Sequence, residues 1–281
     1  MRTVTGHIHM LVARIDALLR VTDPVRIPVP LSGAVGGIAL TSALLGVGLG
    51  LCAPRAVELG VDWFRQLPAT TSIFLAPPFH FYLVAWTIFH LLEFLVTAYW
   101  NATHLQADCT CPTYAAFLLQ NGIEYMAAHL FGVLEFLLEA AIVPSWKQIR
   151  GLQMLGVVLI GIGQLLRSLA MVHASTNFSH TVANVKRSDH VLVTHGVYRF
   201  ARHPSYAGFF YWAVGTQLLL GNPISTLLFI MTLSRFFSQR IRRTFPTHAD
   251  EEYLLHHFFG HDYARYAARV PAGVPLVRFI T

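Results

Sequence analysis

The chain has 281 residues, of which 54% are hydrophobic and only 12% are charged. Soluble domains average about 25% charged residues, so this composition excludes a soluble globule, whose surface needs more charge. The net charge of +6 comes from basic residues that are all Arg except Lys147 and Lys186. They lie between apolar runs, which is typical of membrane flanks and excludes a nucleic-acid-binding surface.

The sequence offers no disulfide framework, metal site or cleavable leader. Its cysteines, Cys52, Cys109 and Cys111, are odd in number, and the last two are too close for the usual zinc spacing. We interpret all three as free thiols. Charged residues interrupt about the first thirty positions, so no signal-peptide core forms. Residues 9–19 are expected to form an amphipathic helix on the membrane.

Apolar stretches predict five or six membrane-spanning helices, since a crossing needs about 20 apolar residues. In chain order the stretches are residues 31–53, 79–100, 114–143, 152–174, 206–220 and 224–237. In the third stretch we expect a break at Asn121-Gly122. A helix of about 15 residues rises only about 22 Å, against a hydrocarbon core of about 30 Å. The last two stretches, joined by Gly221-Asn222-Pro223, are therefore expected to form a hairpin that barely crosses or only re-enters.

Basic residues predict the orientation of these spans, because they concentrate on the cytoplasmic side. With six crossings and a cytoplasmic N-terminus, the opposite side holds only Arg55, Arg65, Lys147 and Arg150. The long third stretch and residues 57–74 each have room for a further turn, so the sequence predicts an all-α polytopic membrane protein with six to eight transmembrane helices and both termini in the cytoplasm. Residues 1–150 are interpreted as N-terminal membrane helices. Residues 151–281 are interpreted as further membrane helices plus a cytosol-facing region that holds most of the distinctive polar residues.

The segment from His190 to Gly208 is the most polar part of this C-terminal region. It holds three His, two Arg, two Tyr and one Pro between two apolar stretches. Pro204 suits the first position of a helix, where no backbone N–H is needed. A helix N-terminus beside Arg202 and His203 favours an anionic group. A basic loop that touches lipid headgroups is the alternative.

A second polar segment follows the hairpin. Arg240 precedes the acidic run Asp250-Glu251-Glu252, with further Arg residues between them. Paired acids at this place are suited to bind a cationic group such as an amine or a sulfonium. The alternative is a solvated amphipathic helix that lies on the membrane.

Together these segments resemble the isoprenylcysteine carboxyl methyltransferase family. The resemblance rests on Arg202-His-Pro-Ser-Tyr206 before a hairpin ending at Asn222-Pro223, followed by Arg240 and Glu251-Glu252. The run from Phe258-Phe-Gly260 to Pro275, and Asn177-Phe-Ser-His180, are similar to the family as well. The similarity covers residues 152–281, and the N-terminal half matches by hydropathy only.

The resemblance implies an enzyme of the endoplasmic reticulum membrane with a cytosolic C-terminal catalytic region. It implies S-adenosyl-L-methionine as cofactor without a Rossmann domain, and the sequence contains no glycine-rich fingerprint of that domain. Motif matching places Arg240 near the substrate carboxylate, with Arg243 as the alternative because the interval before the Glu pair is longer than in the family. The cofactor is expected to contact His190, Val191, Leu192, Val193, Tyr198, His203, Pro204, Ser205, Tyr206 and one or both of Glu251 and Glu252.

The implied acceptor is the C-terminal carboxylate of a farnesylated or geranylgeranylated cysteine on a membrane-attached protein. Such a carboxylate has an ordinary pKa of about 3.5, so it is ionised at neutral pH and needs no general base. An Arg such as Arg240 fixes a carboxylate through paired hydrogen bonds. Burial of the prenyl chain contributes about 0.8 kcal/mol per CH₂, which explains the membrane setting. Residues 31–53 and 79–100 are expected to pack around that chain.

Other functions remain as alternatives. A membrane methyltransferase acting on a phospholipid amine or a small thiol shares the core motif, as does a sterol reductase. A transporter or scaffold without catalysis is the third alternative. It is less favoured, because the polar residues concentrate near the C-terminal end of this chain.

Glu93 and Arg167 lie within apolar stretches, where a charged side chain is costly and indicates a function. We expect a structural pair of Arg167 with Glu135 or Glu139, and Gln164 in a polar pocket.

Overall fold

The computed structural model describes residues 32–64, 77–100, 118, 123–180, 182–183, 185–241 and 251–277. These residues form α-helices and short 3-10 helices, and they contain no β-strand. The seven α-helices among them are α1 (Ser32–Phe64), α2 (Pro77–Trp100), α3 (Ile123–Ile142), α4 (Arg150–Ala174), α5 (Pro204–Leu220), α6 (Pro223–Ile241) and α7 (Glu251–Ala267). The prediction of an all-α chain is therefore confirmed. Residues 9–19, Cys109, Cys111 and Arg243 lie outside the described residues.

Within the part of the chain that the structure describes, four helices are long and apolar enough to cross a membrane, namely Ile38–Glu58 of α1, Pro77–Trp100, Ile123–Ile142 and Arg150–Asn177. They correspond to the first four predicted stretches, and the chain is a multi-pass membrane protein. The predicted hairpin is present as α5 and α6, of 17 and 19 residues, which are not among these four. The number of six to eight crossings stays a prediction.

Helix α1 continues past its expected end at residue 53, through Pro54, to Phe64. Immediately after the proline, Arg55 donates to Glu58 at 2.9 Å, three residues apart on the same helix. Such pairs stabilise a helix by a few tenths of a kcal/mol, roughly 0.2–0.5. Residues 54–64, which were expected to lie outside the membrane, therefore continue the helix.

Helices α4 and α5 form the centre of the fold, with their backbones in close contact. Two glycines on each helix face the other helix: Gly156 and Gly163 on α4, Gly208 and Gly215 on α5. A Cβ added at Gly208 would lie 2.6 Å from the backbone nitrogen of Arg167, which is closer than real contacts allow. Small residues allow such close approach between membrane helices. The contact fixes the first turn of α5 against Arg167.

Polar side chains hold the turn between α5 and α6. Glu135 of α3 accepts hydrogen bonds from the backbone N–H groups of Ile224 and Ser225, at 2.8 and 2.7 Å. These groups belong to the first turn of α6, where backbone donors lack partners within the helix. A carboxylate there is also favoured by the helix dipole.

Lys147 completes this cluster from the 3-10 helix Pro144–Gln148. Its ammonium group donates to Glu139 at 2.7 Å, and to the Gly221 carbonyl and the Asn222 side chain at 2.9 Å each. The expectation that Glu135 or Glu139 pairs with Arg167 was wrong, because both carboxylates serve the hairpin turn.

Candidate active site

A cavity opens at the end of the fold where α4 ends and α5 begins. It contains about 930 Å³ of space outside the protein atoms, part of it open to solvent. Its lining includes Arg167, Asn177, Phe178, His180, His190, Val191, Leu192, Val193, Tyr198, Arg202, His203, Pro204, Ser205, Tyr206, Glu251, Leu255, Phe259, Tyr263 and Tyr266. The structure thus brings together every predicted cofactor residue except Glu252.

The wall formed by residues 190–193 is attached on two sides. The backbone N–H of Val191 donates to the Asn177 side chain at 2.8 Å, which links the wall to the end of α4. The His190 ring packs edge-on against Phe259 of α7, with ring centroids 5.2 Å apart. A segment without regular secondary structure is therefore held between two helices.

Arg202 and His203 fasten the C-terminal segment to the first turn of α5. Their backbone N–H groups donate to the carbonyls of Pro271 and Ala272, at 2.8 and 3.0 Å. The Arg202 guanidinium also donates to the carbonyls of Ala267 and Val270. The Arg202 guanidinium is therefore hydrogen-bonded to other groups of the protein, although Arg202 also lines the cavity.

Glu251 and Glu252, the first two residues of α7, have different surroundings. The Glu252 carboxylate lies 2.6 Å from His203 Nε2 and 3.2 Å from Arg202 Nε, and it does not line the cavity. Burial works to raise the pKa of Glu252, but the contacts with His203 and Arg202 outweigh it and lower the pKa to about 2. Glu251 lines the cavity and accepts a hydrogen bond from the Tyr206 hydroxyl at 2.6 Å.

Arg240 lies in the last turn of α6, directly behind Tyr206 as seen from the cavity. Its Nε donates to the Tyr206 hydroxyl at 2.7 Å, and its Nη2 donates to the His180 carbonyl at 2.8 Å. Arg240 is half-buried and is not part of the cavity wall. Its sequence alternative, Arg243, lies outside the described residues, so the structure does not compare the two.

Arg167 is a buried member of the cavity wall and pairs with Glu93 of α2. Its guanidinium donates to both carboxylate oxygens, at 2.7 and 2.9 Å, and to the Ser205 hydroxyl at 2.6 Å. The expected structural pair thus exists with a different acid, and it reaches the cofactor motif through Ser205. Gln164 donates to Ser168 on its own helix and does not line the cavity.

Several cavity residues were not predicted to contact the cofactor, among them Leu255, Phe259, Tyr263 and Tyr266 of α7. Tyr263 and Tyr266 lie on one face of this helix, and both side chains are buried. Burial raises the pKa of Tyr266 to about 12, so its phenol stays neutral at physiological pH. Both tyrosines belong to the C-terminal run that resembles the family, but the resemblance gave them no contact with the cofactor.

The chain matches the model of the isoprenylcysteine carboxyl methyltransferase family over residues 154–254. The protein-S-isoprenylcysteine O-methyltransferase of Saccharomyces cerevisiae is 39% identical over 85% of this chain and 91% of the yeast protein. That of Schizosaccharomyces pombe is 41% identical over 87% of this chain and 96% of its own length. The match to the Xenopus laevis enzyme, 42% identical, covers 72% of this chain and 65% of that protein.

A solved structure agrees with these matches. It is described as the eukaryotic intramembrane Ras methyltransferase ICMT, without a monobody, and superposes with a TM-score of 0.73 at 32% sequence identity. The superposition covers 88% of this chain and 79% of that chain. Sequence similarity and fold similarity therefore both extend along almost the whole chain. The chain belongs to the isoprenylcysteine carboxyl methyltransferase family.

Proposed function

We propose that this chain transfers a methyl group from S-adenosylmethionine to the C-terminal carboxylate of a prenylated cysteine. Its relatives are named for methylation at an isoprenylcysteine, and family membership supports the same reaction here. The observation that carries the site assignment is the contact of Tyr206 with both Glu251, on the cavity wall, and Arg240 behind it. One hydroxyl thus joins a group suited to a cationic donor and a group suited to an anionic acceptor.

The charge and lining of the cavity support a sulfonium donor. Its walls carry the Glu251 carboxylate and the aromatic rings of Tyr198, Tyr206 and Phe259, and both features attract a cation. S-adenosylmethionine supplies a methyl group made electrophilic by a positively charged sulfur. The residues proposed to hold it are His190, Val191, Leu192, Val193, Tyr198, His203, Pro204, Ser205, Tyr206 and Glu251. Glu252 is proposed to act indirectly, by orienting His203.

The acceptor end requires orientation rather than proton removal. A carboxylate with a pKa of about 3.5 is already ionised at neutral pH. Among the described residues, none accepts a hydrogen bond from Arg240 Nη1, which leaves this nitrogen for an acceptor carboxylate. Fixing two reactants in attack geometry contributes up to about 7–11 kcal/mol in favourable cases. His203 Nε2 lies 2.6 Å from the Glu252 carboxylate, and no general base is assigned to His203 because the acceptor is already ionised.

The membrane explains how a lipid-modified protein reaches this site. The farnesyl or geranylgeranyl chain is proposed to enter between the helices from the bilayer, while the polar donor enters from the cytoplasm. We place the protein in the endoplasmic reticulum membrane, the location that the family resemblance implies, and both termini in the cytoplasm, because basic residues concentrate on the side of the cavity.

An acceptor-specificity assay tests the proposal. Purified protein in lipid nanodiscs is incubated with methyl-labelled S-adenosylmethionine and N-acetyl-farnesylcysteine, N-acetylcysteine or phosphatidylethanolamine. We expect base-labile methyl ester from the prenylated cysteine only, because only that acceptor combines a carboxylate with a lipid chain. Methylation of phosphatidylethanolamine in its place contradicts the proposal.

A further inference from the structure

The Tyr206 hydroxyl has two strong partners from two different helices. It donates to Glu251 of α7 at 2.6 Å and accepts from Arg240 Nε of α6 at 2.7 Å. Both partners carry charge, and hydrogen bonds to charged groups are roughly twice as strong as neutral ones. A buried phenol hydroxyl needs a partner in any case, but two charged partners on two helices hold this one from both sides.

The Tyr206 ring is itself held on both faces. It stacks on His203, with ring planes 3° apart and centroids 5.6 Å apart, and on Phe237, with centroids 4.9 Å apart. Its backbone lies in the first turn of α5, which the glycine contacts fix against α4. The hydroxyl therefore has a defined position relative to the cavity.

Arg240, in contrast, has a long side chain with many rotamers. Ordering such a side chain costs up to about 2 kcal/mol of conformational entropy. Its two contacts, at Nε and Nη2, select one conformation. Both partners belong to residues of the cavity wall, but the Tyr206 hydroxyl is the side-chain partner, and it also donates to Glu251.

On the basis of the proposed function, we propose that Tyr206 is the positioning residue that orients Arg240 toward the methyl donor. Its hydroxyl fixes the guanidinium that binds the acceptor carboxylate, and Glu251 fixes the hydroxyl. Tyr206 thereby determines how well the acceptor is aligned, beyond any contact with the cofactor. Its effect on catalysis passes through Arg240.

The substitution Tyr206→Phe tests this, because it removes the hydroxyl and keeps the ring. Two quantities are measured: kcat/KM for N-acetyl-farnesylcysteine at saturating S-adenosylmethionine, and the Kd of S-adenosylhomocysteine by calorimetry. Loss of a charge-assisted hydrogen bond should lower kcat/KM by about 10- to 100-fold. The Kd should change by less than about 3-fold, which also shows that the variant is folded.

Tyr82→Phe is the matched control. Tyr82 is also buried, and its hydroxyl lies 3.0 Å from His129 Nδ1 in α3, with no contact to Glu251 or Arg240. We expect its kcat/KM to stay within about 2-fold of wild type.

The decisive comparison introduces Tyr206→Phe into the Arg240→Ala variant. If Tyr206 acts through Arg240, the second substitution should cost less than about 2-fold in that background, since coupled residues are not additive. An equal loss in both backgrounds, or a rise in the Kd as large as the fall in kcat/KM, overturns the inference. So does a Tyr206→Phe variant as active as Tyr82→Phe. If the wild type forms no ester, the proposed function fails and the inference falls with it.

Discussion

The two neighbouring acids at the start of α7 provide a matched pair for testing the site at the residue scale. Glu251 contacts Tyr206 on the cavity wall, whereas Glu252 is bound to His203 and Arg202 behind it. We predict that Glu251→Gln lowers methyl transfer at least about 100-fold, equivalent to roughly 2.7 kcal/mol of barrier. Initial rates with N-acetyl-farnesylcysteine measure it, with the exposed Glu124→Gln as control. Wild-type rates in Glu251→Gln contradict this assignment.

Glu252 is predicted to stabilise the fold in a pH-dependent manner. Its pKa is about 2 in the folded protein, against an ordinary value of 4.5, so the folded state holds the proton less tightly than the unfolded one. The stabilisation is therefore fully present above about pH 4.5 and is lost as the pH falls toward 2. The melting temperature of wild type should exceed that of Glu252→Gln at pH 7, and the difference should shrink in acid. A difference that is independent of pH contradicts this.

At the scale of elements, the α5–α6 hairpin depends on Glu135 of α3. This carboxylate binds two backbone N–H groups at the start of α6, and Arg240 lies at the other end of that helix. A buried donor without a partner costs about 1–3 kcal/mol. We predict that Glu135→Ala lowers the melting temperature by several degrees, measured by fluorescence in detergent. Glu124→Gln on the same helix should leave it unchanged, and an unaltered Glu135→Ala variant would argue against this anchor.

The same helices show that a sequence pattern predicts where a helix begins and ends but not which side chains it pairs. Apolar runs predicted α2, α4 and the hairpin to within a few residues, because run length and turn residues are local properties. The acid that pairs with Arg167 was not predictable, since it depends on how α2 and α4 are rotated about their axes. Hydropathy places Glu93, Glu135 and Glu139 in apolar helices alike, and only packing distinguishes them.

The cavity residues were predictable for a related reason. Those assigned from the sequence, apart from Glu251, belong to two contiguous segments, residues 190–193 and 198–206, so a motif brings them together without knowledge of the fold. The choice between Glu251 and Glu252 was not available from the sequence. Adjacent residues of a helix point in different directions, so Glu251 contacts Tyr206 while Glu252 contacts His203. The choice follows from these two contacts.

At the scale of the whole molecule, the cavity and the hairpin turn lie at opposite ends of α5 and α6. The positive-inside tendency then assigns the cavity to the cytoplasm and the turn to the other side. We predict that a protease added outside sealed microsomes removes a C-terminal tag, because the proposed topology places the C-terminus on the cytoplasmic side. A tag cleaved only after detergent is added would reverse this topology.

The division of the chain into N-terminal membrane helices (residues 1–150) and a C-terminal part with the catalytic region (residues 151–281) stays a prediction. Glu93 of α2 reaches Arg167 on the cavity wall in a buried ion pair, and Thr97 of the same helix lies 3.1 Å from His180 Nε2, so the N-terminal half contacts the site directly. Replacing one partner of such a pair leaves a buried charge uncompensated. Function is therefore expected to depend on both halves of the chain.

The structure of the protein bound to S-adenosylhomocysteine, determined by electron cryomicroscopy, tests the central claim most directly. We predict that the ligand lies in the cavity beside residues 190–193 and Glu251, with its sulfur directed toward Tyr206 and Arg240. A ligand bound elsewhere, or one whose sulfur points away from Arg240, would contradict the account.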